Sequence, residues 1–133
     1  MKVEFDNSLV TGNAMIDEQH KELIGKIDKL VACCEEGGGK VKAIKMLDYL
    51  SDYTDFHFGE EEKLQEEVSY PAIEGHKAKH AEFKKSVEEL HEMLVEEEGP
   101  TDAFVAAVQK NVVDWLFDHI KNMDQALAAY VQK

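Results

Sequence analysis

The chain has 133 residues, room for one domain with one core, and its 28 acidic against 15 basic residues leave a formal charge of −13. A field of that sign repels phosphate backbones and anionic headgroups, so neither nucleic acid nor a membrane surface is expected as a partner. No apolar run approaches the roughly 18 residues a bilayer span needs, and Met1 to Ser8, carrying Glu4 and Asp6, does not read as a secretory leader.

The first sixteen residues show no clear period and are expected to lie as a loop across the remainder. Ile16, Leu23, Ile24, Ile27, Leu30, Val31 and Cys34 then recur at helical spacing, which predicts a helix over 17–36. Asp17 is placed to cap it and Gly37-Gly38-Gly39 to end it. Cys33 and Cys34 are neighbours on that helix, pointing about 100° apart, so they are expected as reduced thiols of a cytoplasmic protein rather than as a disulfide. Ile44, Leu47, Leu50, Tyr53, Thr54, Leu64 and Val68 predict a second helix over 40–67, stopping ahead of Pro71 because the residue before a proline resists helical backbone.

Pro71 suits the first turn of a third helix over 71–97, carrying Ile73, Phe83, Val87, Leu90 and Leu94 and closing near Gly99-Pro100. Thr101 reads as the cap of a fourth, 101–131, lined by Phe104, Val105, Val108, Val112, Trp115, Leu116, Met123 and Leu127. Similar lengths and short connections predict an all-α fold: an up-down-up-down antiparallel four-helix bundle with an N-terminal loop, one domain over 1–133.

Polar residues interrupt these apolar stripes. His20 lies one turn before Ile24, His57 and Glu61 share a stripe with Tyr53 and Leu64, His76 and His80 align with Ile73, Phe83 and Val87, and His119 follows Trp115 by one turn. At a rise of about 1.5 Å per residue, all five imidazoles fall in the same half of an antiparallel bundle. Without cations, each unpaired ionic group in such a cluster would cost several kcal/mol, against the roughly 5–15 available to a small domain. The pattern therefore predicts a metal site. Five imidazoles exceed what one tetrahedral zinc uses, so two ions are expected. Imidazole suits iron, zinc, copper or nickel, and carboxylates that bridge two ions fit a di-iron or di-manganese centre. The Glu-x-x-His pairs of ferritin-like bundles are missing from the inward stripes. Asp124 follows His119 by five residues, about 140° around an ideal helix, and faces inward only if the helix widens or the carboxylate reaches in from the flank.

The order of His20, His57-Phe58-Gly59-Glu60-Glu61, His76-Lys77-Ala78-Lys79-His80 and His119-Ile120-Lys121-Asn122-Met123-Asp124 resembles the hemerythrins, above all the bacterial single-domain bacteriohemerythrins. Ile16-Asp17-Glu18-Gln19-His20-Lys21, Tyr70-Pro71 and Trp115-Leu116 agree with it, and the likeness covers nearly the whole chain. It implies a non-haem centre in which one iron takes His76, His80 and His119 and the other His20 and His57. Glu61 and Asp124 would bridge them together with an oxo or hydroxo group, so that Asp124 enters the ligand set on the resemblance. Two positions depart from the family pattern: Phe5 stands where a tryptophan is common, and Gln65 where an apolar residue such as Met is common.

The resemblance further implies reversible binding of dioxygen at the two-histidine iron, as a carrier, store or supply rather than an enzyme. Ile24, Phe58, Leu64, Trp115 and Ile120 are candidate walls of a dry pocket, and equally serve as ordinary core. Two rival readings stand beside the carrier: a di-iron enzyme reducing peroxide or nitric oxide, and an oxygen-sensing module, which would be expected to carry an output domain. His91 is about 16 Å along the axis from His80, too far to join the cluster, and is assigned no role.

Overall fold

The computed structural model describes residues 3–37, 39–97 and 99–131, and among these all regular structure is helical. Side-chain caps set the starts of the first and fourth helices. Helix α1, Ala14–Glu35, begins at Asn13, whose side chain accepts from the Ile16 N–H at 3.1 Å. Asp17 is therefore not the cap expected of it. It sits in the first turn, where its carboxylate accepts from the Thr11 N–H (2.9 Å), the Thr11 hydroxyl (2.7 Å) and the Gly12 N–H (3.2 Å), tying the preceding loop to the helix. Gly12 makes the bend with a φ of 91°, open to glycine at little cost.

Helix α2, Lys40–Glu67, follows a turn in which Gly37 has a φ of 73°; Gly38, assigned to the same stop, lies outside the described residues. Its far end is closed by the Tyr70 N–H donating to the Gln65 carbonyl at 2.9 Å, with Ser69 left-handed at φ 54°. Pro71 does not enter the third helix. The Ile73 N–H donates to the Tyr70 carbonyl at 3.3 Å, which puts Pro71 second in a four-residue turn, a position its fixed φ suits. Helix α3, Ile73–Glu96, then begins after Ala72. Thr101 caps the fourth helix as expected, its hydroxyl accepting from the Phe104 N–H at 3.1 Å.

The fourth helix, α4, is continuous over 102–131 but not uniform. α-Helical Asp102–Val108, Trp115–His119 and Gln125–Val131 are joined by two π-helical turns, Gln109–Asp114 and Ile120–Asp124. α1 packs on α2, α2 on α3, and α4 on α3 and α1, giving the expected four-helix bundle. Its core is filled by Phe58, Phe83 and Phe104 with leucines and isoleucines from α1 to α3. Val3 and Leu9 of the N-terminal segment are also buried, and this segment is pinned by Val3 N–H to Asp28 (3.0 Å) and by the Gln125 amide to the Ser8 carbonyl (2.8 Å). On α2 the inward stripe is Ala43, Leu47, Leu50, Thr54, His57, Phe58, Glu61 and Gln65. Leu64, expected inward, is only partly buried; Gln65 takes the core position.

Candidate metal centre

Each helix carries part of one buried polar cluster. α1 brings His20; α2 brings His57 and Glu61, one turn apart; α3 brings His76 and His80, again one turn apart; α4 brings His119 and Asp124. None is more than 5% exposed. Asp124 is the informative member. In an α-helix, five residues past His119 would point it away, but the backbone over Ile120–Asp124 is π-helical, taking one residue more per turn. That single extra residue returns the carboxylate to the face of His119.

The side-chain atoms fall into two nests. In one, His76 Nε2 lies 3.0 Å from His119 Nε2, 3.0 Å from Glu61 Oε1 and 2.8 Å from Asp124 Oδ1. His80 Nε2 is 3.1 Å from Glu61 Oε1, and His119 Nε2 is 3.2 Å from Asp124 Oδ1. In the other, His57 Nε2 is 3.1 Å from Glu61 Oε2 and His20 Nε2 is 3.0 Å from Asp124 Oδ2. Each carboxylate thus offers one oxygen to each nest. Donor atoms of Glu61, His76, His80, His119 and Asp124, and of His20, His57, Glu61 and Asp124, lie within 4.8 Å of one another, so both groups could hold a cation.

At a metal–donor distance of about 2.1 Å, donors around one cation lie about 3.0–3.4 Å apart. The contacts in the three-histidine nest run from 2.8 to 3.2 Å. Several donors make no aligned hydrogen bond among the described residues, although His57 Nε2 with Glu61 Oε2 and His20 Nε2 with Asp124 Oδ2 stand at ion-pair distance: both nitrogens of His20, His57 Nε2, Glu61 Oε2, His119 Nδ1 and Asp124 Oδ2. Buried polar atoms left so are costly, and a cation in each nest would satisfy the ones that face it.

The electrostatics agree. Burial and the Asp124 charge push Glu61 up, yet the His57, His76 and His80 imidazoles outweigh them and bring it down to about 2. Burial likewise opposes the Asp124 charge, but His119, His20 and His76 hold it well below the usual carboxylate range. Burial would lower His76, but Asp124 and Glu61 raise it to about 9. The imidazoles thus favour the charged form of both buried carboxylates, and the carboxylates favour the protonated form of His76.

Three residues that the sequence reading did not assign to the centre orient its imidazoles. Gln19 Oε1 accepts from His57 Nδ1 at 2.8 Å, Glu62 Oε2 accepts from His80 Nδ1 at 2.9 Å, and the Gln65 amide meets His76 Nδ1. A signal was present, since Gln19 and Glu62 adjoin ligand positions and Gln65 follows Glu61 by one turn. Among the expected walls, Phe58 stacks on His80 (centroids 3.8 Å, planes 2° apart) and Trp115 on His119 (4.6 Å, 13°). Ile24 and Ile120 are buried core residues, whereas Leu64 is half-buried. Trp115 is also half-buried and, through a 2.9 Å bond from its indole N–H to Glu82, borders a surface cleft of about 250 Å³ shared with His119. His91 stays outside, 43% exposed and 3.7 Å from Asp48. Cys33 and Cys34 are free thiols, and no described helix is long and apolar enough to cross a membrane.

Fold and cluster define a class: four-helix bundles whose core presents histidines and shared carboxylates able to hold metal. Within that class the chain belongs to the hemerythrin family, its residues 11–131 matching the model described as the hemerythrin HHE cation binding domain. It is 31% identical to a bacteriohemerythrin of Stenotrophomonas maltophilia over 96% of this chain and 80% of the relative. A bacteriohemerythrin of Pseudomonas paraeruginosa is 32% identical over 96% and 78%. Among solved structures, a wild-type hemerythrin superposes with a TM-score of 0.79 at 26% identity over 92% of both chains.

Proposed function

We propose that the centre holds two iron ions with an oxo or hydroxo bridge and that the chain binds dioxygen reversibly. One observation carries this reading: Glu61 and Asp124 each direct one oxygen to each nest, as carboxylates shared by two cations must. His76, His80 and His119 serve one iron, His20 and His57 the other, and the second nest offers one protein donor fewer, leaving room for a small exogenous molecule. When bound, the iron pair supplies the two electrons that dioxygen takes up and gives back.

The protein's own part is to orient, neutralise and keep dry. Gln19 and Glu62 accept the Nδ1 protons of His57 and His80, leaving Nε2 of each free to face a cation. The two carboxylates offset cation charge inside the core. Phe58 and Trp115 close over His80 and His119, and Ile24 and Ile120 add apolar core, limiting the water and protons that would make oxygen binding irreversible.

Anaerobic reconstitution should give two irons per chain, and admitting air should produce a visible charge-transfer band that disappears under argon. A chain holding two irons without a reversible band would sink the carrier reading. Steady consumption of peroxide or nitric oxide in place of a stable oxygenated form would replace it with an enzyme.

A further inference from the structure

Gln65 is fully buried on α2, one turn beyond Glu61, and its side-chain amide meets Nδ1 of His76. His76 has the most crowded position in the three-histidine nest, its Nε2 lying within 3.0 Å of His119, Glu61 and Asp124. We propose that Gln65 is the positioning residue for His76: its amide oxygen accepts the Nδ1 proton and leaves the Nε2 lone pair for the cation. The inference rests on the two-iron reading above.

An imidazole that gives Nε2 to a cation carries its proton on Nδ1, so its partner there must accept. Gln19 and Glu62 meet that requirement with oxygens on His57 and His80. A glutamine can present either end, because a half-turn of its amide exchanges oxygen for nitrogen. In the structure the amide nitrogen faces Nδ1, and Gln65 Oε1 has no partner among the described residues. The half-turn therefore costs the oxygen no existing bond and gives it one. A carboxylate could only accept, as Glu62 does on His80. The amide matches either tautomer of His76, while adding no charge to a core that already holds Glu61 and Asp124.

The decisive comparison is Gln65→Leu with Gln65→Glu, read by competition of the iron-loaded proteins with a ferrous chelator and by thermal unfolding of the metal-free chains. Losing such an outer partner weakens metal affinity by roughly 10–100-fold. Gln65→Leu should show that loss beyond any lowering of its metal-free melting temperature, because it leaves His76 Nδ1 without its partner in both forms while only the loaded form needs the proton held there. Gln65→Glu, still an acceptor, should hold iron within about threefold of the unsubstituted chain. A purely structural role would make iron affinity follow metal-free stability in both variants, Gln65→Glu included, and that result overturns the proposal. So does a Leu variant that holds iron as tightly as the unsubstituted chain. The unsubstituted protein gives a reading independent of the variants: loaded with zinc and labelled with nitrogen-15, it should show His76 protonated at Nδ1 with slowed exchange, and a proton on Nε2 refutes the assignment. If the unsubstituted chain binds no iron, it is the two-iron reading that fails.

Discussion

Asp124→Asn separates the charge of this carboxylate from its shape. Asp124 Oδ1 lies 2.8 Å from His76 Nε2 and 3.2 Å from His119 Nε2, and Oδ2 lies 3.0 Å from His20 Nε2, so the substitution touches both nests. Two divalent cations bring four positive charges, of which Glu61 and Asp124 offset two; the amide leaves one more of them uncompensated in a core where Asp124 is 1% exposed. An unpaired buried charge costs about 3–5 kcal/mol. At 1.4 kcal/mol per tenfold, that weakens uptake of the second cation roughly 100- to 4,000-fold. Anaerobic ferrous titration, with bound iron measured after chelator competition, should show the plateau fall from two irons per chain to one or fewer. Asp114→Asn, an exposed carboxylate on the same helix, should leave the titration unchanged. Two irons bound by Asp124→Asn within threefold of the parent affinity would refute the assignment of Asp124 to both nests.

Three further perturbations address the surroundings. Phe83→Ala empties a fully buried ring site and should cost about 3–5 kcal/mol; for 133 residues this lowers the melting temperature by roughly 10–18 °C, measurable by calorimetry on the metal-free chain. Trp115→Ala removes the indole stacked on His119 beside the surface cleft, and should speed loss of the air-formed absorption band several-fold. An unchanged rate would mean that Trp115 does not limit water access. Burial, and after it the charges of Cys33 and Glu35, raises the Cys34 thiol to about 11. The thiolate is the reactive form, so at pH 8 about one Cys34 in a thousand is reactive and alkylation should climb close to tenfold per pH unit up to pH 10. A rate already at its plateau at pH 8 would contradict that burial.

Much of this was legible because a helix repeats. Spacing placed His20, His57, Glu61, His76, His80 and His119 on inward stripes at one level, and the structure brings them together there. It failed where a single residue of phase mattered. Leu64 and Gln65 are 100° apart, and the apolar one was the natural choice for the core; the polar one occupies it because His76 on α3 meets its amide. Asp17 looked like a cap because it precedes the apolar run, whereas Asn13 starts the helix three residues earlier than the expected 17–36. The outer partners were harder. Gln19 reaches His57 from α1 to α2, and Glu62 reaches His80 from α2 to α3, so both depend on how neighbouring helices are rotated, which no single helix's periodicity encodes.

Asp124 is a different kind of case, because the assumption that failed was the helix itself. At a fixed 100° per residue the carboxylate points outward, and only the resemblance brought it in. The structure supplies the physical means, a π-helical turn over Ile120–Asp124. Such turns are rare, which implies that the α-helical alternative is ordinarily the better one for the backbone. Something in the tertiary structure must offset the difference here, and the contacts of Asp124 with His20, His76 and His119 are in the right place to do so. The dependence also runs the other way. Without the widened turn Asp124 would leave the cluster, and His20 would lose its 3.0 Å carboxylate neighbour, with Glu61 Oε2 next at 3.8 Å. The backbone irregularity and the completeness of the two-histidine nest are therefore one feature of this chain.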